Sequence, residues 1–487
     1  MHPLARLDHH FVWHPFTQMR DWLRREPIVL VAGRGAVLRD VYGREYLDAN
    51  ASIWTNLHGH NHPRLNAALR RQLARVAHTS FLGLANEPAA RLAAELVAAA
   101  NPPGLRRQPR LAKVFYSDDG STALEVALKL AYEFARRTGR ARRPRFLSLA
   151  GAYHGDTVGA VSLGHIDLFH AAYAGLLFKS DAVMAPYCYR CPFNRAAPER
   201  ADARTWRQCR WECVDQVERR LAAQRRRRGE PYAAFVFEPL IQGAAGMIPQ
   251  PDGWLRRVAE LARAAGTLLI ADEVLTGFGR TGVAGVGAPD PVGNRRRARA
   301  GDSLFASHRE GVQPDFLCLA KGLTGGYLPL AATLTTRAVF EAFLGEYAEF
   351  KTFFHGHSYT GNPLGTATAR ASLALLRTTA SRRARVRLEA ALTCELTRLW
   401  DLPAVGDVRQ VGLITGVELV RDWRTRAAFD LRERAGLRVC EAMARRGVLT
   451  RPIGNVVVLM PPYCTTPAQL RRMVGALAES VDEVLGR

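Results

Sequence analysis

Asp272 in LLIADEVLTGFGRTG and Lys321 in FLCLAKGLTGG each follow a short apolar run of strand character. A carboxylate and an amine delivered by neighbouring strands can do carbonyl chemistry. The amine condenses with an aldehyde to give an imine, and the carboxylate holds a protonated ring nitrogen so that an aromatic ring accepts electrons. Attack requires a neutral amine, and burial beyond an apolar strand lowers a lysine pKa. The chain has only five lysines, Lys113, Lys129, Lys179, Lys321 and Lys351. Lys113 precedes a strand, Lys129 lies in a helical pattern, and Lys179 and Lys351 lie in polar stretches. Lys321 alone follows an apolar strand and opens into glycine-rich sequence. For Asp272 the plainer alternative is a cap or an ion pair.

The elements that must position these groups follow from periodicity. Apolar runs at Val114–Tyr116, Arg145–Leu149, Ala234–Phe237, Leu268–Ala271 and Phe316–Leu319 alternate with helical patterns, which predicts an α/β fold with a largely parallel sheet. Each run is followed by polar or glycine-bearing sequence, so Gly120, Tyr153, Glu238, Asp272 and Lys321 are expected at one sheet edge, where open α/β sheets bind ligands. In SDDGSTALEVALKLAYEFARRTG, Leu124, Ala127, Leu128, Ala131 and Phe134 form one helical face, and Gly139 ends the helix. That helix is expected to open at Ser121 with free N–H groups, a seat for phosphate or an ordinary Ser N-cap. The first 48 residues carry an antiparallel pattern around Asp40–Gly43, and Val405–Val420 and Val456–Met460 are strand-like. These ends are expected to build a smaller domain, 1–48 with 380–487, beside a large domain over 49–379.

Composition bounds the alternatives. The 487 residues are 48% hydrophobic and 23% charged, ordinary for a globular enzyme, with no apolar run of 18 and no secretory leader in MHPLARLDHHFVWHP. A cytoplasmic protein without membrane association is the expectation. Of 68 basic residues 63 are arginine, giving a net charge of +23. The arginines are scattered without an aromatic-studded stripe, and Arg225–Arg228 and Arg295–Arg297 are expected in solvated loops. Codon preference explains them better than nucleic-acid binding does.

Three further motifs carry less. Cys188-x2-Cys191 and Cys209-x3-Cys213 could hold zinc or be four reduced thiols, and no metal is assigned. Gly277-x-Gly279-x-x-Gly282 lacks a following helix, so a dinucleotide site is rejected. His58, His60 and His62 in HGHNHP have no carboxylate nearby in sequence and are expected as hydrogen-bonded loop histidines. The stretch Gly282–Asp302 is aperiodic and expected as an exposed insert.

At WHPFTQM, ASIWTNLHGHNHP, SDDGSTALEVALK, GAYHGDTVGAVS, FEPLIQGAAGM, ADEVLTGFGRTG, AKGLTGG, FFHGHSYTGNPLG and RPIGNVVVLMPP the chain resembles the class III, fold-type I aminotransferases that use pyridoxal 5'-phosphate. The resemblance implies that Lys321 forms the imine and moves a proton, and that Asp272 pairs with the pyridine nitrogen. Gly120 and Ser121 would hold the phosphate, with Ser358 from the partner of a homodimer. Tyr153 and Val274 would cover the two ring faces. Trp54 and Arg280 would contribute to the substrate pocket together with Tyr153 and Lys321, Asp156 and Glu238 would shape its surroundings, and Arg451 would bind a substrate carboxylate. More narrowly it implies conversion of 8-amino-7-oxononanoate to 7,8-diaminononanoate in biotin synthesis, with adenosylmethionine or lysine as donor. The rival readings are ω-amino transfer on ornithine-, aminobutyrate- or diamine-like substrates and an aminomutase. Phe16 stands where adenosylmethionine-using members carry tyrosine, and a frequent tryptophan pair is Ile53-Trp54, which leaves the donor open.

Overall fold

The computed structural model describes residues 1–106, 108–282 and 303–486. The segment 283–302, with Arg295–Arg297 and nearly all of the expected insert, lies outside the described residues. A seven-stranded sheet runs in the order Leu111–Ser117, Ala331–Thr336, Phe316–Leu319, Leu268–Asp272, Ala234–Phe237, Phe146–Leu149, Asp181–Val183. Six strands share one direction. Ala331–Thr336, which the apolar-run reading missed, lies antiparallel to both neighbours.

Strand periodicity divides the interior in two. Phe235, Phe237, Leu269, Ala271, Leu317 and Leu319 point into one core, beneath helices that contribute Leu92, Val217 and Val258. Ala234, Val236, Ile270, Phe316 and Cys318 point into the other, packed by Leu124, Ala127, Leu128 and Ala131 of the helix Gly120–Arg137. Continuous apolar runs are therefore what these strands require, because both faces are covered. Each fully buried Leu, Ile or Phe contributes about 1.5–3 kcal/mol.

Segments from the two ends of the chain share a sheet. Leu30–Arg34, Val37–Asp40 and Glu45–Asp48 pair antiparallel, and Val448–Leu449 joins Glu45–Asp48 in parallel. Val405–Val411, Ile414–Asp422, Val456–Leu459 and Pro452–Ile453 form a second C-terminal sheet. One loop expectation fails. Arg225–Arg228 are the last turn of the helix Glu212–Arg228, where their charges oppose the negative end of the helix before Gly229 caps it at φ +69°. In HGHNHP the His58 and His60 rings are hydrogen-bonded as expected, His58 to Ser372, whereas His62 Nδ1 has no partner among the described residues; His60 Nε2 lies 2.9 Å from the Asp48 carboxylate, a partner twelve residues away that the local sequence did not suggest.

Arg409 ties the C-terminal sheet to the centre. Its fully buried guanidinium donates to Asp407 at 3.0 Å, to Glu418 at 2.6 Å and twice to the Gly246 carbonyl. Removing it leaves the buried Asp407 carboxylate without its cation, while Glu418 keeps Arg190 and Tyr187. Arg409→Ala is expected to lower unfolding stability by about 3–5 kcal/mol, measured by urea denaturation; a loss below about 1 kcal/mol, the scale of a surface pair, would show that the network carries little.

Candidate active site

At the carboxyl ends of the central strands lies a cleft of about 750 Å³. Lys321 sits two residues past Phe316–Leu319, at the start of a short 3-10 turn and at φ +40°. Burial holds its amine below the ordinary lysine range, against the opposing pull of Asp272 and Glu238. The Trp54 ring covers the amine, with Nζ 4.8 Å from its centroid.

Asp272 is the last residue of the adjacent parallel strand, paired in register with Cys318. It is 5% exposed. Oδ1 accepts the Val274 N–H at 3.1 Å, and Oδ2 lies 2.8 Å from His154 Nδ1. His154 is buried, and its Nε2 has no partner among the described residues. Sequence reading passed over this histidine, although it lies between the quoted Tyr153 and Gly155. A buried carboxylate demands a partner, and that demand was the signal available.

The helix Gly120–Arg137 presents its first turn to the same cleft. Asp119, not Ser121, is the N-cap, and its carboxylate accepts the Thr122 N–H at 2.9 Å. The Ser121 hydroxyl is thereby free to meet Thr157, with Oγ–Oγ1 at 2.7 Å and the Thr157 N–H donating to Ser121 Oγ at 2.9 Å. Two glycines are sterically required. A Cβ on Gly120 would stand 2.7 Å from Val274, and one on Gly155 (φ +117°) would collide with Ser121. Hydroxyls, helix N–H groups and a helix dipole thus face an open corner, which suits a phosphate.

Tyr153 lines the cleft and donates to Asp156 at 2.6 Å, and Val274 lines it from the strand end. Glu238 is fully buried, and burial followed by the nearby Asp272 pushes its carboxyl up to about 7. Its Oε2 accepts the Gly243 N–H at 2.7 Å, while Oε1 has no partner among the described residues. The arrangement has a lysine amine, a carboxylate beyond it, flanking Tyr153 and Val274, and an anion seat. These fit a flat, phosphate-bearing heteroaromatic aldehyde.

The structure brings Trp54, Gly120, Ser121, Tyr153, Asp156, Glu238, Asp272, Val274 and Lys321 together. It does not bring in Arg280, which is 1% exposed and donates to the Pro461 and Asn56 carbonyls at 2.7 and 3.0 Å. Ser358 is exposed and outside this cleft. Arg451 is exposed 3.5 Å from the Phe16 carbonyl, and the Phe16 ring faces Tyr153 edge-on at 6.4 Å. Among the described residues no three His, Cys, Asp or Glu side chains converge to hold a metal. Cys188, Cys191, Cys209 and Cys213 are free thiols.

The family model "Aminotransferase class-III" matches residues 20–286 and 297–481. The chain is 48% identical over 476 residues to the adenosylmethionine-8-amino-7-oxononanoate aminotransferase of Nitratidesulfovibrio vulgaris, covering 97% of this chain and 80% of that protein. The crystal structure of the enzyme of that name from Methanocaldococcus jannaschii superposes with a TM-score of 0.86 at 36% identity, over 99% of both chains. A PLP-bound amine transaminase from an uncultivated Pseudomonas species superposes with a TM-score of 0.84 at 32% identity, over 97% of this chain and 99% of that one. With strand-end lysine and aspartate, helix N-terminus and full-length likeness in agreement, the chain belongs to the class III aminotransferases.

Proposed function

We propose that the protein is the pyridoxal 5'-phosphate-dependent enzyme that moves an amino group from adenosylmethionine or lysine to 8-amino-7-oxononanoate, giving 7,8-diaminononanoate for biotin synthesis. The observation that carries the chemistry is the meeting of Lys321 and Asp272 in one cleft from adjacent strands. The substrate rests on relatives of that name at 36–48% identity over nearly the whole chain. An ω-amino transfer on other substrates is the second reading, favoured by the likeness to an amine transaminase.

When bound, pyridoxal phosphate supplies the aldehyde that condenses with amines and a ring that accepts the electron pair left when a substrate carbon loses its proton. The chain's residues supply the rest. Lys321, its amine favoured neutral by burial, attacks as nucleophile and later carries the proton between carbons. Asp272, anchored by His154 and the Val274 N–H, sets negative charge where the ring nitrogen would lie. Gly120 and Ser121 hold the phosphate, joined by Ser358 of a partner subunit. Tyr153 and Val274 pack the two ring faces. Arg451, beside Phe16 at the mouth, binds the acceptor's carboxylate, and Trp54 walls the substrate space. Arg280 contributes by clamping Asn56 and Pro461 rather than by touching substrate.

A homodimer belongs to the same proposal. Ser358 lies in a segment whose Tyr347, Phe350 and Phe354 are 90%, 66% and 72% exposed, an apolar face that suits a second copy. Eight unpaired cysteines favour a reducing, cytoplasmic setting, and among the described residues no helix is long and apolar enough to cross a membrane. We take 49–379 as the cofactor-binding domain, with 1–48 and 380–487 forming the smaller one.

Lys321→Ala is expected to lose transamination by about 10²–10⁴-fold, the range of positioned proton-transfer groups, in a coupled assay for diaminononanoate; retained activity would remove Lys321 from the chemistry. Arg451→Ala is expected to raise KM for 8-amino-7-oxononanoate by about 10–100-fold with kcat little changed, the scale of one charge-assisted hydrogen bond. An unchanged KM would exclude that contact. Turnover of simple diamines but not of the oxononanoate by the wild type would favour the second reading.

A further inference from the structure

The wall of the cleft that carries Trp54 is built in an unusual backbone conformation. Ala51, Ser52, Ile53 and Trp54 have φ of +45°, +49°, +62° and +71°, and Ser52 and Ile53 have ψ near their φ. Four consecutive L-residues in the left-handed region crowd each Cβ against a carbonyl, and Ile53 is β-branched as well. Only the surroundings can impose such a turn.

Those surroundings centre on Asp48, which is 3% exposed. Its Oδ1 accepts the Asn50 and Ser52 N–H groups at 3.2 Å each, and its Oδ2 accepts the Ser52 hydroxyl at 3.2 Å. His60 Nε2 lies 2.9 Å from the same Oδ2, and Asn56 Nδ2 meets His60 Nδ1 at 3.0 Å. Asn50 relays the grip, since the Trp54 N–H donates to its carbonyl and the indole Nε1–H to its side-chain oxygen, both at 2.8 Å. From the other side Gly326, just past Lys321, packs so closely on Thr55 and Asn56 that a Cβ there would stand 2.8 Å from their backbone. The turn is thus gripped at one end by Asp48 and pressed at the other by the lysine loop. What emerges is the indole over the Lys321 amine at 4.8 Å.

We propose that Asp48 and His60 are positioning residues for the active lysine: they hold the left-handed turn 51–54 so that Trp54 caps the Lys321 nitrogen. A ring face over that nitrogen favours its protonated state through the ring's negative face. The proposal rests on Lys321 being the cofactor-bearing lysine. It assigns to a carboxylate outside the cleft a control over the nitrogen inside it.

The test titrates the absorbance of the bound cofactor in holoenzyme, whose midpoint reports protonation at the Lys321 nitrogen. The other charged or titratable groups lining the cleft, Asp272, Glu238, His154, Tyr153, Tyr327, Asp156, Asp118 and Asp119, are the same in every variant. Trp54→Leu is expected to lower the midpoint by about 0.5–1 pH unit, the worth of one cation–π contact. Asp48→Asn is expected to lower it nearly as far. Ile53→Gly alone should stay at the wild-type value, because Ile53 is 42% exposed and glycine takes positive φ without strain. Adding Ile53→Gly to Asp48→Asn should restore the wild-type midpoint, a rescue that a general loss of stability would not show. An unmoved midpoint in Trp54→Leu or Asp48→Asn, or a failure of Ile53→Gly to restore it, would overturn the proposal. Should Asp48→Asn not fold, His60→Gln carries the same comparison. A wild type with no cofactor absorbance rejects the cofactor reading itself and is seen before any variant is made.

Discussion

The parallel pairing of Leu268–Asp272 with Phe316–Leu319 is the constraint on which the site depends. Its register sets Asp272 beside Cys318, three residues before Lys321. A slip of one residue would turn Asp272 into the sheet's apolar interior and send Ala271 to the cleft. The register is held by burial on both faces, since Ile270, Phe316 and Cys318 fill one core while Leu269, Ala271, Leu317 and Leu319 fill the other. The same apolar packing that stabilises the sheet removes water from the Lys321 amine and favours its neutral form. Fold stability and reactivity therefore have one physical source.

Around that register the cleft is assembled from parts far apart in sequence. Glycine at 120 and 155 lets the helix N-terminus approach Val274 and the Tyr153 loop. Arg280 fastens Asn56 to Pro461, and Arg409 fastens Gly246 to the C-terminal sheet. The C-terminal segments thus brace the walls of a site whose reactive groups lie on the central sheet. Such buried cation-to-carbonyl clamps are costly to break, because the freed charge has no water to return to.

Much of this was legible from residue order. Strands covered on both faces must read as unbroken apolar runs, so Ala234–Phe237 and Phe316–Leu319 were found at their observed bounds. Ala331–Thr336 was missed because alanine and threonine carry a weak apolar signal, and its burial comes from neighbours on both sides. The N-cap fell on Asp119 because its carboxylate is the better acceptor and because Ser121 is drawn toward Thr157. His154 with Asp272, and Asp48 with His60, are pairings across 118 and 12 residues; no local periodicity encodes them. Arg280 had a reactive residue type and a neighbouring motif but turned inward, where backbone carbonyls satisfy it.

One lysine of the five is proposed to carry the cofactor. Borohydride reduction of holoenzyme, followed by peptide mapping, tests it directly. A phosphopyridoxyl group is expected on the peptide containing Lys321 and none on those containing Lys113, Lys129, Lys179 or Lys351. Attachment at any of those four, or no attachment at all, would contradict it.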